Sequence, residues 1–479
     1  MVKFTCNSKV MMTYCVRRLK LNTGRIIDLQ KGQFKEDKTH VVYWMQQSQR
    51  VHFNHALNHA IEIANHRQLP LMVFFGLTAD YPDANERHYA FMLEGLREVK
   101  SILNHFHITF VIRLISPELG VIDYLEHAVA LVMDDGYLRH QKMWRKYVLD
   151  VSKEKFKDLH ISIVDTDAIV PVKVVSDKAE YGAYTLRPKI TKLYRAYRDF
   201  IRIHVVNNQS RLDFKSDTDL IDIDQLLNQL NVDRSVKKSP MYHGGYREAS
   251  RLLSQFIDEK SSHYLESNDP STDYTSLMSM YIHFGQISTL EILERIVLAH
   301  DHGQLDGLVL DAYLEQLLVR RELALNYVTY TKGYDSFETM TEPWAYQTMH
   351  EHIHDVRPYL YTRNELEMSL THDPYFNAAM KEMRDTGYMH NYMRMYWAKK
   401  IIEWMPTYQE AYQTTIELNN KYFIDGRDPN SYAGVAWCYG KHDRAWTERE
   451  VFGKLRYMND KGLERKFNIR DYVEKVNQI

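Results

Sequence analysis

Three polar residues in the last quarter of the chain, Arg394, Asn419 and Asp425, could bind a planar heterocycle whose charge changes during a reaction. Arg394 and Asp425 can form a hydrogen-bonded charge pair, and the Asn419 amide can both donate and accept a hydrogen bond. Trp397 and Trp404 lie seven residues apart on one predicted helix. Their rings therefore share a helical face, about 10.5 Å apart along the axis. Buried packing is the alternative explanation for such an aromatic stripe.

The stretch from Trp437 to Arg470 combines cations with aromatic rings. It carries nine Lys or Arg against five acids, and Trp437, Trp446 and Tyr457 are interleaved with them. A site that binds an unpaired nucleotide needs cations that neutralise its phosphates and aromatic rings that stack on its base. A solvated helical face can have the same composition. The residues of this stretch therefore leave both interpretations open.

Other catalytic motifs fail on spacing. Residues 350–354 match the H-E-x-x-H zinc motif, but no third ligand follows and Pro343 and Pro358 enclose the segment. Residues 434–441 end in Gly-Lys, but His442 stands where a P-loop needs Ser or Thr for magnesium. No G-x-S-x-G hydrolase motif occurs. We therefore predict neither a metal site nor a nucleotide-hydrolysing loop.

The composition is that of a globular protein. With 479 residues, 44% of them hydrophobic, the chain is long enough for two or three domains with a large core. Its 61 Lys and Arg against 63 Asp and Glu mean that any nucleic-acid surface must arise from local clustering. Three scattered cysteines and the absence of a long apolar segment predict an intracellular protein that is not secreted, cytoplasmic or nuclear according to its host.

Short apolar runs separated by helical patterns predict a parallel β-sheet covered on both faces. The runs are Val41–Met45, Leu71–Leu77, Ile108–Leu114, Val129–Met133 and Ile161–Val164. The following stretch is polar and irregular, and helical periodicity dominates after it. We predict a basic N-terminal arm over 1–39, a Rossmann-like α/β domain with five strands over 40–170, a linker over 171–240 and an all-α domain over 241–479.

A series of motifs runs through nearly the whole chain. They are Val41–Met45 with Gln49–Val51, Val170–Val172 with Ser176–Lys178 and Arg187–Ile190, Tyr281–Gln286, Val319–Ala324, Met393–Lys400, Asp425–Asn430, His442–Arg444 and Arg456–Asn459. In this order and at this spacing, they resemble the class II cyclobutane pyrimidine dimer DNA photolyases, a branch of the photolyase/cryptochrome family.

The resemblance implies an α/β antenna domain, a long linker and a helical domain that binds FAD. It also implies a mechanism in which light excites the reduced anionic FAD and an electron passes to a pyrimidine dimer flipped out of DNA. The dimer splits and the electron returns. The implied partner is UV-damaged DNA, with no membrane and a monomeric protein. The resemblance leaves open whether a second antenna chromophore is bound, and which one.

The resemblance also assigns roles to residues by position. The implied FAD contacts are Tyr264, Ser276, Ser279, Arg394, Asn419, Asp425 and Asp428. The implied catalytic residues at the dimer are Gln316, Met395, Asn419 and Trp437, with Asn419 facing flavin N5. Trp397 and Trp404 would transfer electrons. The implied DNA contacts are Lys260, Arg444, Trp446 and Arg456, where Lys260 replaces the usual arginine and loses its bidentate fork.

Two departures from the family's pattern bear on activity. Gln316 stands where the family usually has an acid that hydrogen-bonds the dimer, and an amide has no transferable proton. We therefore expect less efficient repair. Phe376 stands where a third tryptophan links the other two, so we expect slow flavin photoreduction, or a route through Tyr375, Tyr392 or Tyr396. These departures keep a cryptochrome-like FAD photoreceptor without repair activity as the alternative function.

Overall fold

The computed structural model describes residues 22–198 and 203–479, and its first half is built on a six-stranded sheet. The strands are Ile26–Gln30 (β1), His40–Trp44 (β2), Leu71–Gly76 (β3), Thr109–Arg113 (β4), Ala128–Asp134 (β5) and His160–Val164 (β6). Their order is β1-β6-β5-β2-β3-β4, with β1 antiparallel to β6 and the others parallel. The five predicted parallel strands are confirmed. The sequence missed β1, which lies inside the predicted arm; residues 1–21 of that arm are outside the described residues.

Four helices cover the two faces of the sheet. They are His55–Arg67 (α1), Glu86–His105 (α2), Pro117–Ile122 (α3) and Arg139–Lys155 (α4). Because successive strand residues point to opposite faces, Val41 and Tyr43 pack in the core with α1 and α2. Val42 and Trp44 pack in the core with α3 and α4. Burial on both faces explains why these strands are continuous apolar runs in the sequence.

The linker is not wholly irregular. It contains the helices Val172–Val175 (α5), Ala183–Leu193 (α6) and Ile223–Gln229 (α7). Leu226 is buried in the core that holds α1 and α2, whereas Ile190 is buried in a core of the second half. The linker therefore contributes to both halves of the molecule.

The second half is helical, as predicted. Its helices are Tyr246–Gln255 (α8), Ser279–His283 (α9), Thr289–Asp301 (α10), Gly307–Leu314 (α11), Arg321–Tyr330 (α12), Pro343–Glu351 (α13), Arg363–Glu367 (α14), Pro374–Thr386 (α15), Asn391–Trp404 (α16), Tyr408–Tyr422 (α17), Pro429–Cys438 (α18), Asp460–Lys466 (α19) and Ile469–Asn477 (α20). A π-helical segment, Glu315–Arg320, separates α11 from α12, and a second one, Phe256–Lys260, follows α8.

Buried polar side chains join the two halves. The Arg87 guanidinium donates to the carbonyl oxygens of Met383 (3.2 Å), Arg384 (2.7 Å) and Tyr422 (2.8 Å). His88 Nε2 lies 2.9 Å from the carbonyl oxygen of Phe423. Because each buried carbonyl needs a donor, these bonds hold the end of α17 and the loop after it against α2.

A search for membrane-spanning helices over the described ranges, 22–198 and 203–479, finds no helix long and apolar enough to cross a bilayer.

Candidate functional site

The predicted charge pair forms, and it is bidentate. Arg394 Nη1 lies 3.0 Å from Asp425 Oδ1, and Nη2 lies 3.2 Å from Oδ2. Arg394 Nε also donates to the carbonyl oxygen of Met389 at 3.0 Å, and the guanidinium carbon lies 3.9 Å from the centre of the Phe423 ring. The orientation of the guanidinium plane is therefore restricted by its two bonds to Asp425, its bond to the Met389 carbonyl and its packing on Phe423.

Asn419 lies on the last turn of α17, close to the loop that carries Asp425. It is buried, and its Nδ2 donates to Asn420 Oδ1 at 3.0 Å. Asn420 Oδ1 also accepts from the backbone nitrogen of Arg427 at 2.9 Å. The loop after α17 passes so close to this helix that a Cβ atom at Gly426 would lie only 2.8 Å from the Asn419 carbonyl oxygen. Glycine therefore permits the approach of Asp425 to α17.

The residues predicted to hold cofactor phosphates and sugars also lie close together. The Tyr264 and Tyr313 rings are 5.3 Å apart, and the Tyr313 hydroxyl donates to Ser276 Oγ at 3.0 Å. Burial raises the pKa of both phenols, to about 12 for Tyr313. The next residue back, Thr275, has its hydroxyl 3.4 Å from that of Tyr388, whose ring is 5.9 Å from the Arg394 guanidinium carbon. A continuous series of contacts therefore joins Ser276 to the charge pair.

Two further predicted residues stand at helix starts. Ser279 is exposed and begins α9. Asp428 caps α18 by accepting from the Asn430 backbone nitrogen at 2.9 Å, and its other oxygen lies 3.2 Å from His283 Nδ1 at the end of α9. Although burial opposes it, the bond to His283 and nearby positive charges hold the pKa of Asp428 below its ordinary value. Asp428 therefore joins α9 to α18 as a carboxylate.

One face of α18 borders open space. A Cβ atom at Gly434 would meet no atom within 4 Å. Trp437, one turn further along, is half-buried, and so is Met395 on α16. Gln316 is exposed on the π-helical segment. The predicted catalytic residues thus include side chains that a substrate could reach.

Trp437 and Trp446 are held by one arginine. The Arg456 guanidinium carbon lies 4.9 Å from the Trp437 ring and 4.3 Å from the Trp446 ring. Arg456 Nε and Nη2 lie 2.9 Å and 3.3 Å from the two Asp443 oxygens. Arg444 is exposed, with its guanidinium carbon 5.4 Å from the Trp446 ring. We call Trp437, Arg444, Trp446 and Arg456 the indole–guanidinium surface.

The surroundings of Lys260 differ from those of the other three predicted DNA contacts, Arg444, Trp446 and Arg456. It ends the π-helical segment after α8 and pairs with Asp273 at 2.7 Å, near the Ser276 loop. The structure thus brings Arg444, Trp446 and Arg456 together, but places Lys260 in another ion pair.

Trp397 and Trp404 are both almost fully buried on α16. The Phe376 ring lies 5.2 Å from that of Trp404, where it packs edge to face. The sequence missed Tyr361, whose ring is 5.4 Å from Trp404 and whose hydroxyl is 2.6 Å from His372 Nδ1. No local signal could have indicated this contact, because Tyr361 lies in a loop far from α16 in sequence.

The histidines of residues 350–354 do not share one helix, because α13 ends at Glu351. His352 instead lies between two carboxylates, with Nδ1 2.6 Å from Asp355 and Nε2 3.0 Å from Glu448. The bond to Asp355 raises the pKa of His352, as does Glu448. His352 thus connects α13 to the loop that carries Trp446. Within residues 22–198 and 203–479, no cluster of His, Cys, Asp or Glu could hold a metal ion.

A second concave site lies where β2 and β3 end. This cleft is lined by residues that include Gln46, Gln49, Leu77, Tyr81, His88 and Arg427. It stands where the strand order reverses, between β2 and β5, which is where open α/β sheets bind ligands. Strand order is the signal that could have located it, but the sequence alone does not reveal that order.

Arg427 is the unusual residue of this cleft. It is 3% exposed, its φ is 66°, and its Nε has no hydrogen-bond partner among residues 22–198 and 203–479. Its Nη2 lies 3.3 Å from His283 Nε2, and its guanidinium carbon is 5.5 Å from the Tyr81 ring. It forms no ion pair with a carboxylate of the described chain. Burial lowers the pKa of Arg427 and that of His88 beside it. A buried cation without an anion leaves donor capacity for a ligand.

Comparisons with known proteins give a consistent result. The family model for DNA photolyase matches residues 41–206. The chain is 45% identical over 444 residues to a deoxyribodipyrimidine photo-lyase from Methanothermobacter thermautotrophicus, covering 92% of this chain and 95% of that protein. A bacterial class III photolyase from Agrobacterium tumefaciens matches with a TM-score of 0.66 at 17% identity, covering 93% of this chain and 87% of that chain.

A second solved structure has the same fold. A photolyase from Sulfolobus tokodaii matches with a TM-score of 0.63 at 14% identity, covering 91% of this chain and 90% of that chain. It was solved with two FAD molecules, with the implication of a novel light-harvesting cofactor. At these identities, the two solved structures confirm the α/β domain followed by a helical domain.

Proposed function

This chain belongs to the DNA photolyase family, and we propose that it is a class II deoxyribodipyrimidine photo-lyase that uses light to split cyclobutane pyrimidine dimers in DNA. The observation that carries the proposal is the position of α18. This helix is capped by Asp428, three residues after Asp425 of the charge pair, and its last turn carries Trp437 of the indole–guanidinium surface. Its ten residues span about 15 Å, so a cofactor and a DNA lesion could be held on one short helix.

FAD fits the residues around the charge pair. Tyr264, Ser276 and Ser279 would contact its phosphates and sugars, and Asp428 would hold α9 and α18 beside it. Arg394 and Asp425 would flank the isoalloxazine ring, and Asn419 would face N5. A fixed guanidinium and an amide stabilise negative charge on a ring, because their dipoles need no rearrangement. When bound, FAD supplies the electron donor that light excites.

The indole–guanidinium surface would receive the damaged duplex. Met395 and Trp437 would line the pocket for a flipped-out dimer, and Gln316 would donate a hydrogen bond from its amide to a pyrimidine carbonyl. Arg444 would bind a phosphate, and Trp446 would stack where the lesion has left the duplex. A pyrimidine dimer is poorly stacked, so flipping it costs less than flipping an undamaged pair.

The cleft at the ends of β2 and β3 fits a second, light-harvesting cofactor. Arg427 offers an unpartnered Nε inside an otherwise aromatic and amide-lined space. A planar heteroaromatic molecule with an anionic or carbonyl oxygen would satisfy that donor and pack on the rings. The backbone strain at Arg427 is a further feature of binding sites.

A cryptochrome-like photoreceptor is the second candidate, because Gln316 and Phe376 depart from the repair pattern. Both candidates predict bound flavin, but only the first predicts repair. The deciding measurement is the repair of an oligonucleotide with one thymine dimer by the reduced protein under blue light, with a dark control. Repair in light alone is expected. Bound flavin with no repair would favour the photoreceptor, and the absence of flavin would contradict both.

The same assay tests Gln316. Changing Gln316 to Glu is expected to raise the repair yield per absorbed photon, because a protonated carboxyl group can donate a hydrogen bond to a pyrimidine carbonyl and transfer its proton, whereas an amide can only donate the bond. Gln316 is exposed, so the change should leave the fold intact. Gln304→Glu, in the loop before α11, is the control. An unaltered yield in the Gln316→Glu protein would remove this side chain from the proposed mechanism.

A third tryptophan at position 376 is expected to speed the photoreduction of oxidised flavin. Phe376 packs on Trp404, and indole is more easily oxidised than benzene. Phe376→Trp adds volume to a fully buried position, which costs about 1–3 kcal/mol of stability. The measurement is the loss of oxidised-flavin absorbance under blue light with a reductant. Phe376→Leu is the control, and equal rates in all three proteins would contradict a bridging role for this position.

A further inference from the structure

The start of the linker helix α6 presents two exposed aromatic rings that the proposed function has not used: Tyr181 lies two residues before the helix and Tyr184 lies in its first turn. Tyr184 is 66% exposed and Tyr181 is 42% exposed. Their ring centres are 6.1 Å apart at an angle of 62°. Tyrosines with this exposure contribute little to a core, whereas both rings are available to a ligand.

Tyr181 is hydrogen-bonded to two residues that adjoin the indole–guanidinium surface in sequence, His442 and Asp443. Its carbonyl oxygen lies 2.8 Å from His442 Nδ1, and its hydroxyl donates to the Asp443 carbonyl oxygen at 3.4 Å. Asp443 is the residue that pairs with Arg456, and Arg444 follows it. The exposed tyrosines therefore border the residues proposed to contact damaged DNA.

The middle of α6 contacts the π-helical segment that carries Gln316. Arg187, three residues after Tyr184 and on the same helical face, donates to both Glu315 oxygens at 2.9 Å. Arg320 Nε donates to Glu315 Oε1 at 2.9 Å. Because the guanidiniums of Arg187 and Arg320 share the single carboxylate of Glu315, these three side chains together carry a net positive charge. The helix α6 thus connects the two segments between which the lesion would enter.

We propose that Tyr184, supported by Tyr181, is a stacking platform for an unpaired nucleotide of the damaged duplex. This inference rests on the proposed function and adds the linker to the DNA interface. Flipping a dimer leaves bases without partners, and an exposed ring beside cations is the surface that binds an unstacked base. Stacking does not neutralise phosphates, so it affects affinity without affecting salt dependence.

The test is a binding titration in which the protein is added to a duplex with one thymine dimer. Binding is measured by fluorescence anisotropy in the dark, at several salt concentrations. Tyr184→Ala is expected to weaken binding about tenfold with an unchanged salt slope. Tyr184→Phe keeps the ring and should bind like the unaltered protein. Tyr147→Ala, an exposed tyrosine of α4, is the matched control. An undamaged duplex should show little difference among the variants.

The outcomes separate the two proposals. If the unaltered protein binds the damaged duplex and Tyr184→Ala binds equally well, the platform is wrong and the proposed function stands. If Tyr184→Phe is as weak as Tyr184→Ala, the hydroxyl rather than the ring is responsible, and stacking is again wrong. If the unaltered protein does not prefer the damaged duplex, the proposed function fails, and the platform fails with it. Circular dichroism confirms that each variant is folded.

Discussion

Changing Asp425 to Ala is expected to lower the affinity for FAD by about 100-fold. The substitution removes both hydrogen bonds to the Arg394 guanidinium. Truncating one partner of a buried, hydrogen-bonded charge pair costs about 2–5 kcal/mol, much of it from the charge left behind. Arg394 would keep its bond to the Met389 carbonyl, but its plane would no longer be fixed. The measurement is a flavin titration of the flavin-free protein and the flavin content after purification.

The control for Asp425 is an arginine–carboxylate pair outside the site. Arg251 and Glu248 form a bidentate pair on the exposed side of α8. Glu248→Ala should leave flavin affinity unchanged, because exposed pairs contribute about 0–1 kcal/mol. Full flavin occupancy in the Asp425→Ala protein would contradict the placement of the flavin ring beside Arg394.

Changing Arg456 to Ala is expected to weaken binding of dimer-containing DNA by about 30-fold or more. The resemblance implies only that Arg456 contacts DNA, and in the structure Arg456 is paired with Asp443 and lies between two indoles. Its removal loses the cation–π contacts that hold Trp437 and Trp446, and it exposes the Asp443 charge to DNA. Loss of one local cation should also make the salt dependence shallower.

Arg444 is the matched comparison for Arg456. It is exposed and touches only one indole, so Arg444→Ala should remove one phosphate contact, lowering the salt slope by about 0.7–0.9 with a smaller loss of affinity. Asp443→Asn combined with Arg456→Ala should recover part of the affinity, because no uncompensated charge remains. Equal losses for Arg444→Ala and Arg456→Ala would contradict the positioning role of Arg456.

The family and the layered fold could be predicted from the sequence, whereas the roles of the site residues stay predictions. Parallel strands that are buried on both faces appear in the sequence as unbroken apolar runs. These runs can be recognised whatever the order in which the strands pair. β1 was missed because its residues are half exposed and lack such a run. The π-helical segment Glu315–Arg320 could not be predicted, since apolar periodicity does not distinguish a π-helical segment from an α-helix.

The sequence by itself determined which residues carry the proposed chemistry, because composition and motif order are local properties of the chain. The tertiary structure alone decided the partners of these residues. It paired Arg456 with Asp443 between two indoles, brought Tyr361 to Trp404, and left Arg427 without an ion pair among the described residues, in a cleft between the halves. Each of these contacts depends on how helices and loops pack, which local patterns do not specify, and packing sets the burial and charge on which binding depends.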